Sequence, residues 1–241
     1  MSNAKLDSNE NSKLRHIAFI PDGNRRWAKK RGAVSTLIGH RRGFDNIKQL
    51  CASLIKYNVK YATFFCFSTE NWKRSAEEVS YLMKLFYSVF DDADNFFKDN
   101  GVKVETVGDL SQLSQDLQDR ISQIKEKTKN NDKITLICAV SYSGRSEIIR
   151  AAKKIARDVL DKKINIDDID EQRFESYLDL PGVPYPDVVV RTSEQRISNF
   201  LLWEAAYSEL IFLDKLWPDF SEEDIQFIIE DFSKRKRRYG K

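Results

Sequence analysis

The residues best suited to chemistry lie in one stretch, IPDGNRRW at residues 20–27. An apolar run ends at Pro21, and a short polar turn leads directly into a basic segment. We interpret this pattern as a buried strand followed by a tight turn that opens a helix, whose free N–H groups and dipole suit a phosphate. Arg25 and Arg26 offer bidentate contacts, and Asp22 is suited to hold Mg²⁺ against that phosphate. The stretch therefore points to chemistry on a phosphate ester.

The same stretch also has a simpler interpretation. Asp-Gly and Gly-Asn are common turn dipeptides, and aspartate is a common helix cap. Taken alone, the stretch does not decide between a capped turn and a phosphate site. The decision rests on the elements that position it and on the other polar segments of the chain.

Length and composition fit a soluble protein with a sizeable core, in one large α/β domain or two small ones, and the absence of a Pro- and Ser-rich linker and of an internal repeat favours one domain. The chain has 241 residues, of which 41% are hydrophobic and 32% are charged. Lys and Arg number 40 against 37 Asp and Glu, so the net charge of +3 gives no reason to expect a nucleic-acid partner. The three cysteines lie in apolar stretches without metal-ligand spacing, which is typical of core thiols in a reducing compartment.

The sequence carries no secretion signal and no segment suited to cross a membrane. The longest apolar candidate, residues 200–213, is interrupted by Glu204 and Glu209, and a span needs about 20 apolar residues. The polar stretch at the N-terminus lacks the apolar core of a signal peptide. We therefore assign residues 1–14 to a flexible tail and residues 15–241 to one domain, and we expect a cytoplasmic protein.

Short apolar runs of β type alternate with amphipathic helical patterns along the chain. The predicted strands are residues 16–20, 61–67, 103–107, 134–140, 187–190 and 210–213. The predicted helices are residues 43–57, 76–98, 113–129, 144–160 and 221–236. Strands separated by single helices predict an α/β fold with a central, mostly parallel sheet of about six strands and helices on both faces.

Ligands of such sheets bind beyond the carboxyl ends of the strands, and four of the predicted strands end in polar segments. These segments are residues 22–26, 68–74, 141–145 and 191–199, and each contains at least one arginine with hydroxyl or amide donors. Arginines scattered over a protein surface would not be expected at the ends of four separate strands. A pocket for two diphosphate groups would require such an arrangement.

These segments resemble the cis-prenyltransferases. The strings HIAFIPDGNRRWA, GHRRG, FSTENWKR and RTSEQRISNFLLWE, followed by YSEL and LWPDF, match that family in order from about His16 to Gly240. The resemblance implies a homodimeric, Mg²⁺-dependent enzyme that adds isopentenyl diphosphate to an allylic diphosphate with cis double bonds. It further implies farnesyl diphosphate as the starter and undecaprenyl diphosphate, a lipid carrier precursor for cell-wall glycans, as the product delivered to the membrane.

The resemblance also assigns roles to residues of this chain. Asp22 would be the essential acidic residue associated with Mg²⁺, and Glu209 would help to place the metal across the dimer. The loop implied to hold the allylic diphosphate consists of Gly23, Asn24, Arg25 and Arg26. The residues implied to bind the isopentenyl diphosphate are Arg191, Arg196 and Ser198. The other matched active-site positions are Trp27, His40, Ser68, Glu70, Asn71, Trp72 and Arg74.

Three features of the implied reaction stay open. The proton that leaves the isopentenyl unit passes to the released diphosphate or to a polar group near Asp22 or Asn71. An apolar tunnel would shield the growing chain, although most candidate lining residues also suit an ordinary core; they are Cys66, Leu82, Leu85, Phe86, Ile134 and Val140. A C-terminal Arg-x-Gly at residues 238–240 resembles a tail that reaches the neighbouring subunit.

Some positions depart from the family pattern. The segment Arg191–Glu194 is one residue shorter than usual, and the other departures are Thr36, Ser75, Ser141, Ser143 and Gln195. Two further hypotheses therefore accompany a long-chain synthase: a shorter-chain synthase and a non-catalytic subunit of the same fold. An unrelated phosphate-binding enzyme, such as a phosphatase, would not account for two arginine-rich sites beside an apolar tunnel. The acidic residues 91–94 are interpreted as a solvated helix end.

Overall fold

The computed structural model describes residues 14–235, without the side chains of residues 88–95. The predictions made for the N-terminal tail before Leu14, for the acidic residues 91–94 and for residues 238–240 lie outside this description. Leu14 itself is buried in the core.

One sheet of six parallel strands forms the centre of the domain, in the order β3-β4-β2-β1-β5-β6. The strands are β1 (His16–Ile20), β2 (Tyr61–Ser68), β3 (Val102–Val107), β4 (Ile134–Tyr142), β5 (Val188–Thr192) and β6 (Glu209–Leu213). The predicted fold class is confirmed, and the sheet is parallel throughout. All six predicted strands are present, because continuous apolar runs are what a doubly covered parallel sheet requires.

Seven helices connect and cover the strands within the described residues. They are α1 (Asn24–Lys30), α2 (Leu37–Lys56), α3 (Ala76–Asp99), α4 (Gln115–Thr128), α5 (Gly144–Leu160), α6 (Glu171–Glu175) and α7 (Glu222–Lys234). The predictions for α3, α4, α5 and α7 are confirmed. The predicted start of α2 is wrong, because the helix begins at Leu37 rather than at Gly43.

The core lies in two layers, one on each face of the sheet. Ile17 and Phe19 on β1 point to the larger layer, which is packed against α2, α3, α4 and α7. Ala18 and Ile20 alternate with them and point to the smaller layer, which includes Phe200. Since side chains alternate along a strand, one buried strand serves both layers.

Two glycines of α2 allow this helix to lie against the turn that follows β1. A Cβ atom on Gly39 would lie 2.0 Å from the carbonyl oxygen of Asn24, and one on Gly43 would lie 2.4 Å from the Asn24 side-chain oxygen. The indole Nε1 of Trp217 donates to the carbonyl oxygen of Gly43 at 2.9 Å. Residues with a side chain at these positions would push α2 away from the turn.

The strand order places a ligand crevice beside β1. The chain leaves β1 towards β2 on one side, and it later returns from β4 to β5 on the other side of β1. Crevices form at the carboxyl ends of strands where the connections diverge in this way. None of the helices within the described residues combines the length and the apolar character that crossing a bilayer demands.

Candidate active site

A cleft of about 720 Å³ opens at the carboxyl ends of the central strands. All four arginine-containing segments predicted from the strand ends contribute to its wall. The predicted site residues that line it are Asp22, Asn24, His40, Ser68, Glu70, Asn71, Arg74, Arg191, Arg196 and Ser198. The predicted strand-end segments therefore share one continuous cleft, and their roles towards a substrate stay predictions.

Asp22 lies at the end of the cleft where the two predicted diphosphate sites meet. Its Oδ2 accepts a hydrogen bond from Nη2 of Arg191 at 2.8 Å, and its Oδ1 accepts one from the Gly23 N–H at 2.6 Å. Nη2 of Arg26 lies 3.4 Å from the same Oδ1. The backbone of Asp22 is fixed by Thr192, whose hydroxyl accepts from the Asp22 N–H and donates to its carbonyl oxygen.

These contacts keep the Asp22 carboxylate ionised. Burial by itself would raise the pKa of Asp22, but the hydrogen bond and charge of Arg191 outweigh it. The Gly23 N–H and the charge of Arg26 act in the same direction, so the pKa lies below its ordinary value. An ionised carboxylate is therefore available at the edge of the cleft at neutral pH.

Arg191 is a buried guanidinium that connects the two halves of the site. It is 4% exposed, and its Nη1 donates to the Arg196 carbonyl oxygen and to the Ser198 Oγ, each at 2.6 Å. Its Nε is buried without a hydrogen-bond partner among the described residues. The planar group thus orients the segment that carries Ser198 while its charge faces Asp22.

Glu194 connects two exposed arginines: Arg196, which lines the cleft, and Arg26, which lies outside the cleft wall against Asp22. One carboxylate oxygen lies 3.1 Å from Nη1 of Arg26, and the other accepts from Nη1 of Arg196 at 2.8 Å. Diphosphate oxygens would use the same guanidinium groups. Sequence reasoning gave Glu194 no role, although its position between two site arginines in RTSEQR was a usable signal.

A second polar group lies on the opposite wall, around Glu78. Its carboxylate accepts from Nη1 of Arg74 at 3.0 Å and lies 3.4 Å from both His40 Nε2 and an Arg25 Nη1. Burial, helped by the charge of Arg74, lowers the pKa of His40 more than Glu78 raises it, so the imidazole is neutral at pH 7. The sequence analysis missed Glu78; the Arg-x-x-x-Glu spacing from Arg74 was the available signal.

The segment after β2 presents Ser68, Glu70 and Asn71 to the cleft. It forms a short 3₁₀ turn in which Asn71 Oδ1 accepts from the Ser68 N–H at 3.1 Å. Burial would raise the pKa of Glu70, but hydrogen bonds, including the one from Asn199, lower it overall. The side-chain oxygen of Asn71 is therefore occupied in holding the turn.

The inner wall of the cleft is apolar. Phe44, Ile47, Cys66 and Leu82 line it below the charged rim. A separate small cavity of about 20 Å³ lies deeper and is bounded by Phe44, Ile47, Lys48, Cys66, Phe86, Phe97, Leu136 and Cys138. Of the predicted tunnel residues, Leu85, Ile134 and Val140 are buried in the core. The cleft joins a charged end to an apolar end, and a continuous tunnel stays a prediction.

Comparison with known proteins agrees with this geometry. A prenyltransferase family model of undecaprenyl diphosphate synthases matches residues 20–240. The chain belongs to the undecaprenyl diphosphate synthase family. The resemblance to the cis-prenyltransferases is therefore confirmed over nearly the whole chain.

Individual relatives span the same length. An isoprenyl transferase of Clostridium perfringens is 47% identical over 232 residues, which cover 96% of this chain and 91% of the relative. A farnesyl-diphosphate-specific ditrans,polycis-undecaprenyl-diphosphate synthase of Buchnera aphidicola is 42% identical over 241 residues, with 100% and 96% coverage. The crystal structure of lavandulyl diphosphate synthase from Lavandula x intermedia, in complex with dimethylallyl diphosphate, superposes with a TM-score of 0.91 at 34% identity, covering 96% of this chain and 100% of that one.

Some positions matched to the family lie outside the cleft wall. Trp27 Nε1 donates to Asp219 Oδ1 at 2.7 Å. The guanidinium of Arg31 stacks on the Trp27 ring, 4.4 Å from the ring centroid. Arg25 contacts Glu78, and Gly23 is buried beneath the turn. Their roles towards substrate, predicted from the family resemblance, stay predictions.

Glu209, the second predicted metal residue, lies at the other end of the sheet from Asp22. It pairs in register with Val188, which is level with Ile17, whereas Asp22 follows the far end of β1. Its Oε2 accepts from Nη1 of Arg235 at 2.7 Å. One copy of the chain does not bring Glu209 to Asp22, so the shared metal role stays a prediction.

The residues around Asp22 fit a magnesium ion that arrives with a diphosphate. Among the described side chains, no group of three or more His, Cys, Asp or Glu residues forms a metal cage. Mg²⁺ is commonly held by one or two carboxylates together with substrate phosphates rather than by such a cage. The ionised Asp22 supplies the carboxylate, and the buried Oδ1 of Asn24 has no hydrogen-bond partner within residues 14–235.

Three serines that depart from the family pattern have structural partners. Ser75 caps α3 by accepting from the Glu78 N–H at 3.3 Å, and Ser143 caps α5 by accepting from the Ser146 N–H at 3.4 Å. Ser141 accepts from the indole of Trp72 at 3.0 Å. In the shortened segment, Ser193 adopts a left-handed φ of 71°, a conformation that glycine adopts more easily.

Proposed function

We propose that this chain is a Mg²⁺-dependent cis-prenyltransferase that joins isopentenyl diphosphate to an allylic diphosphate. One observation carries the proposal: an ionised Asp22 lies between Arg191 and Arg26 at the charged end of a cleft whose inner wall is apolar. Two anionic groups and a hydrocarbon chain match such a cleft. A phosphatase would have no use for the apolar wall.

The polar end supplies charge stabilisation for the leaving group. Breaking the allylic carbon–oxygen bond leaves its electron pair on the diphosphate, and Arg26 is placed to stabilise that charge. No side chain caps the start of α1, so the helix leaves its first N–H groups free of internal partners. A bound Mg²⁺ would neutralise further diphosphate charge next to Asp22.

The neighbouring part of the cleft, beyond Arg191, would hold the isopentenyl unit by its diphosphate. Arg196 and Ser198 line the cleft there, and Arg191 fixes both the Arg196 backbone and the Ser198 hydroxyl. This placement would set the alkene beside the allylic carbon, so that much of the rate enhancement comes from orientation. The new carbon–carbon bond takes its electron pair from the alkene.

The proton lost from the isopentenyl unit would pass to the released diphosphate. The two protein alternatives are weak bases in this structure. Asp22 has a lowered pKa, and Asn71 uses its side-chain oxygen to accept from the Ser68 N–H. The departing diphosphate gains negative charge in the same step and is the stronger acceptor.

For the product we propose undecaprenyl diphosphate, made from farnesyl diphosphate and delivered to the membrane as a cell-wall lipid carrier precursor. The name of the Buchnera relative supports this choice. A shorter product is the second candidate, favoured by the TM-score of 0.91 with the lavandulyl enzyme. A non-catalytic subunit is disfavoured because Asp22, Arg26 and Arg191 are all in place.

The test is product formation by the purified chain. Labelled isopentenyl diphosphate and Mg²⁺ are supplied with either farnesyl or dimethylallyl diphosphate, and the products are separated by chain length. We expect extension of farnesyl diphosphate to a long polyprenyl product. The absence of any extended product would refute the proposed function, and a product of one or two added units would select the shorter-chain alternative.

We further propose that the active enzyme is a homodimer in which Glu209 serves the site of the other copy. Its distance along the sheet from Asp22 supports this arrangement. The variants Asp22→Ala and Glu209→Ala are each expected to be inactive alone. Co-expressed as mixed dimers, they should regain activity at the site that combines an intact Asp22 with an intact Glu209. No recovery in isolated mixed dimers would contradict the shared site.

A further inference from the structure

A pair of acidic side chains lies behind the cleft, between the first turn of α5 and the end of the segment that follows β5. Glu147 is 2% exposed and Glu204 is 5% exposed, and their carboxyl groups lie within hydrogen-bonding reach of each other. Glu204 closes the segment that follows β5 and carries Arg196 and Ser198. Two buried carboxylates at such proximity repel each other unless they share a proton.

The hydrogen bonds show which carboxyl holds the proton. Glu147 Oε1 accepts from the Asp179 N–H at 2.9 Å, and its Oε2 accepts from the Tyr142 hydroxyl. Burial raises the pKa of Glu147 as well, but both of its oxygens already accept hydrogen bonds, so we assign it as the ionised member of the pair. Both oxygens of Glu204 are buried without a hydrogen-bond partner in the described chain. A proton on Glu204 supplies the missing donor, and Glu147 is the acceptor.

Among the described side chains, no cation of this cluster is directed at the pair. Arg150 donates to Asp179 and to the Ser146 hydroxyl. The other titratable groups that act on Glu204 or its neighbours are Tyr142 on β4, Asp179, Glu175 on α6 and Tyr185. Burial first, and then the charge of Glu147, raise the pKa of Glu204 to about 8.

The contact between Glu147 and Glu204 joins the segment that carries Arg196 and Ser198 to α5. The Gly144 N–H donates to the Asn199 carbonyl oxygen at 2.7 Å, and the Arg145 N–H donates to Asn199 Oδ1 at 2.9 Å. The pair of Glu147 and Glu204 makes the next contact along the same helix. Left-handed φ angles at Ser198 (49°), Asn199 (64°) and Leu201 (44°) show that this segment depends on its surroundings for its conformation.

We propose that Glu204 is a positioning residue that, by donating its proton to Glu147, holds the segment of Arg196 and Ser198 in its substrate-binding conformation. For its effect on activity, this inference rests on the proposed function. Ionisation of Glu204 places two like charges together and loosens the segment. The affinity for isopentenyl diphosphate then falls at alkaline pH, while the groups that contact substrate are unchanged.

The test compares the wild type with Glu204→Gln, whose amide donates a hydrogen bond at every pH. The KM for isopentenyl diphosphate is measured at about pH 6 and about pH 9, and for the wild type it should rise on the order of tenfold between them. Glu171→Gln, an exposed control on α6 that keeps Glu204, should show the same rise in KM as the wild type, whereas the rise should be clearly smaller for Glu204→Gln. Profiles that superimpose for wild type and Glu204→Gln would overturn the proposal.

A stability measurement tests the pair without any assay of prenyl transfer. A raised folded pKa means that the native state keeps a proton that the unfolded chain loses, so the melting temperature of the wild type falls as pH rises from about 4.5 to about 8. Glu204→Gln should match the wild type near the acid end and exceed it near the alkaline end. If the wild type transfers no prenyl group at all, the proposed function fails. The comparison of melting temperatures still tests whether Glu204 and Glu147 share a proton.

A second substitution checks the direction of the hydrogen bond. Glu147→Gln replaces one of the two acceptor oxygens with an amide NH₂, at the position to which the Tyr142 hydroxyl or the Asp179 N–H donates in the wild type. This variant should therefore be less stable than Glu204→Gln at about pH 6, where Glu204 of the wild type is protonated and Glu147 is ionised. Equal stability of the two variants would contradict the assignment of the proton to Glu204.

Discussion

Asp22 and Glu204 are two carboxyl groups that the same chain segment, residues 191–204, holds in opposite protonation states. Asp22 lies against Arg191 and Arg26, and its pKa is lowered in spite of partial burial. Glu204 lies against Glu147 without a cation, and burial raises its pKa to about 8. The sign of the neighbouring charge, rather than the residue type, decides which carboxyl is ionised at neutral pH.

The two environments suit two tasks. The ionised carboxylate lies in the cleft, where diphosphate charge would be handled, while the protonated one lies in the scaffold behind it. Arg191 connects the two regions, since it donates hydrogen bonds to Asp22 and to Ser198. Changing Arg191 should disturb both ends of the segment at once.

The largest effect is expected for Arg191→Lys. Lysine keeps the charge but cannot donate simultaneously to Asp22, Ser198 and the Arg196 carbonyl oxygen, as the buried fork does. We expect kcat/KM for isopentenyl diphosphate to fall about 100-fold or more, together with a lower melting temperature. Steady-state kinetics and thermal unfolding measure both.

Arg196→Lys is the matched control, because its side chain is 61% exposed and forms one hydrogen bond, to Glu194. Its effect on the melting temperature should be small. If Arg191→Lys lowered the melting temperature as little as Arg196→Lys does, the buried guanidinium would not be the group that connects Asp22 with the segment of Ser198.

The next effect concerns stability, which should depend on pH in opposite directions through Asp22 and through Glu204. A lowered folded pKa stabilises the native state above the ordinary carboxyl range, and that stability is lost as the pH falls through the folded pKa. The stability advantage of the wild type over Asp22→Asn should therefore shrink towards acid. The advantage of Glu204→Gln over the wild type should grow towards alkali. Thermal unfolding across pH checks both: the melting temperature of the wild type minus that of the variant should rise with pH for Asp22→Asn and fall with pH for Glu204→Gln, and a change in the same direction for both would break the comparison.

The smallest effect is expected for Glu194→Gln. The carboxylate of Glu194 holds Arg26 and Arg196, which diphosphates would also bind. Because these pairs are partly exposed, removing the charge should release the arginines at little cost in stability and lower KM for both substrates by about 2- to 5-fold. An increase in KM would show instead that Glu194 orders the two arginines for binding.

Much of the fold could be predicted from the sequence, because each buried parallel strand is a compact apolar run between polar segments. The start of α2 could not. Its first turns contain His40, Gly39 and Gly43, which break the amphipathic pattern. The structure gives the reason for the glycines, since both lie against Asn24 with no room for a side chain. Close packing between two elements leaves no periodic signal in the sequence.

The site could be predicted where its residues lie at the carboxyl ends of strands, as Asp22, Ser68 and Arg191 do. Glu78 and Glu204 lie on other elements, and their partners are distant in sequence: His40 for Glu78 and Glu147 for Glu204. A charged residue usually indicates a solvated surface, so burial of these carboxyls was not predictable. The Arg74 spacing was a local signal for Glu78, whereas the role of Glu204 depends on tertiary contacts alone.

The measurement that tests the central claim most directly is a single turnover of Asp22→Ala beside the wild type. Enzyme with bound farnesyl diphosphate and Mg²⁺ is mixed with labelled isopentenyl diphosphate, and the first condensation product is quantified, while circular dichroism verifies the fold. Asp116→Asn, an exposed charge change on α4, serves as the control. We predict product from the wild type and the control and none from folded Asp22→Ala; product from Asp22→Ala at a near-normal rate would contradict the role of the ionised carboxylate.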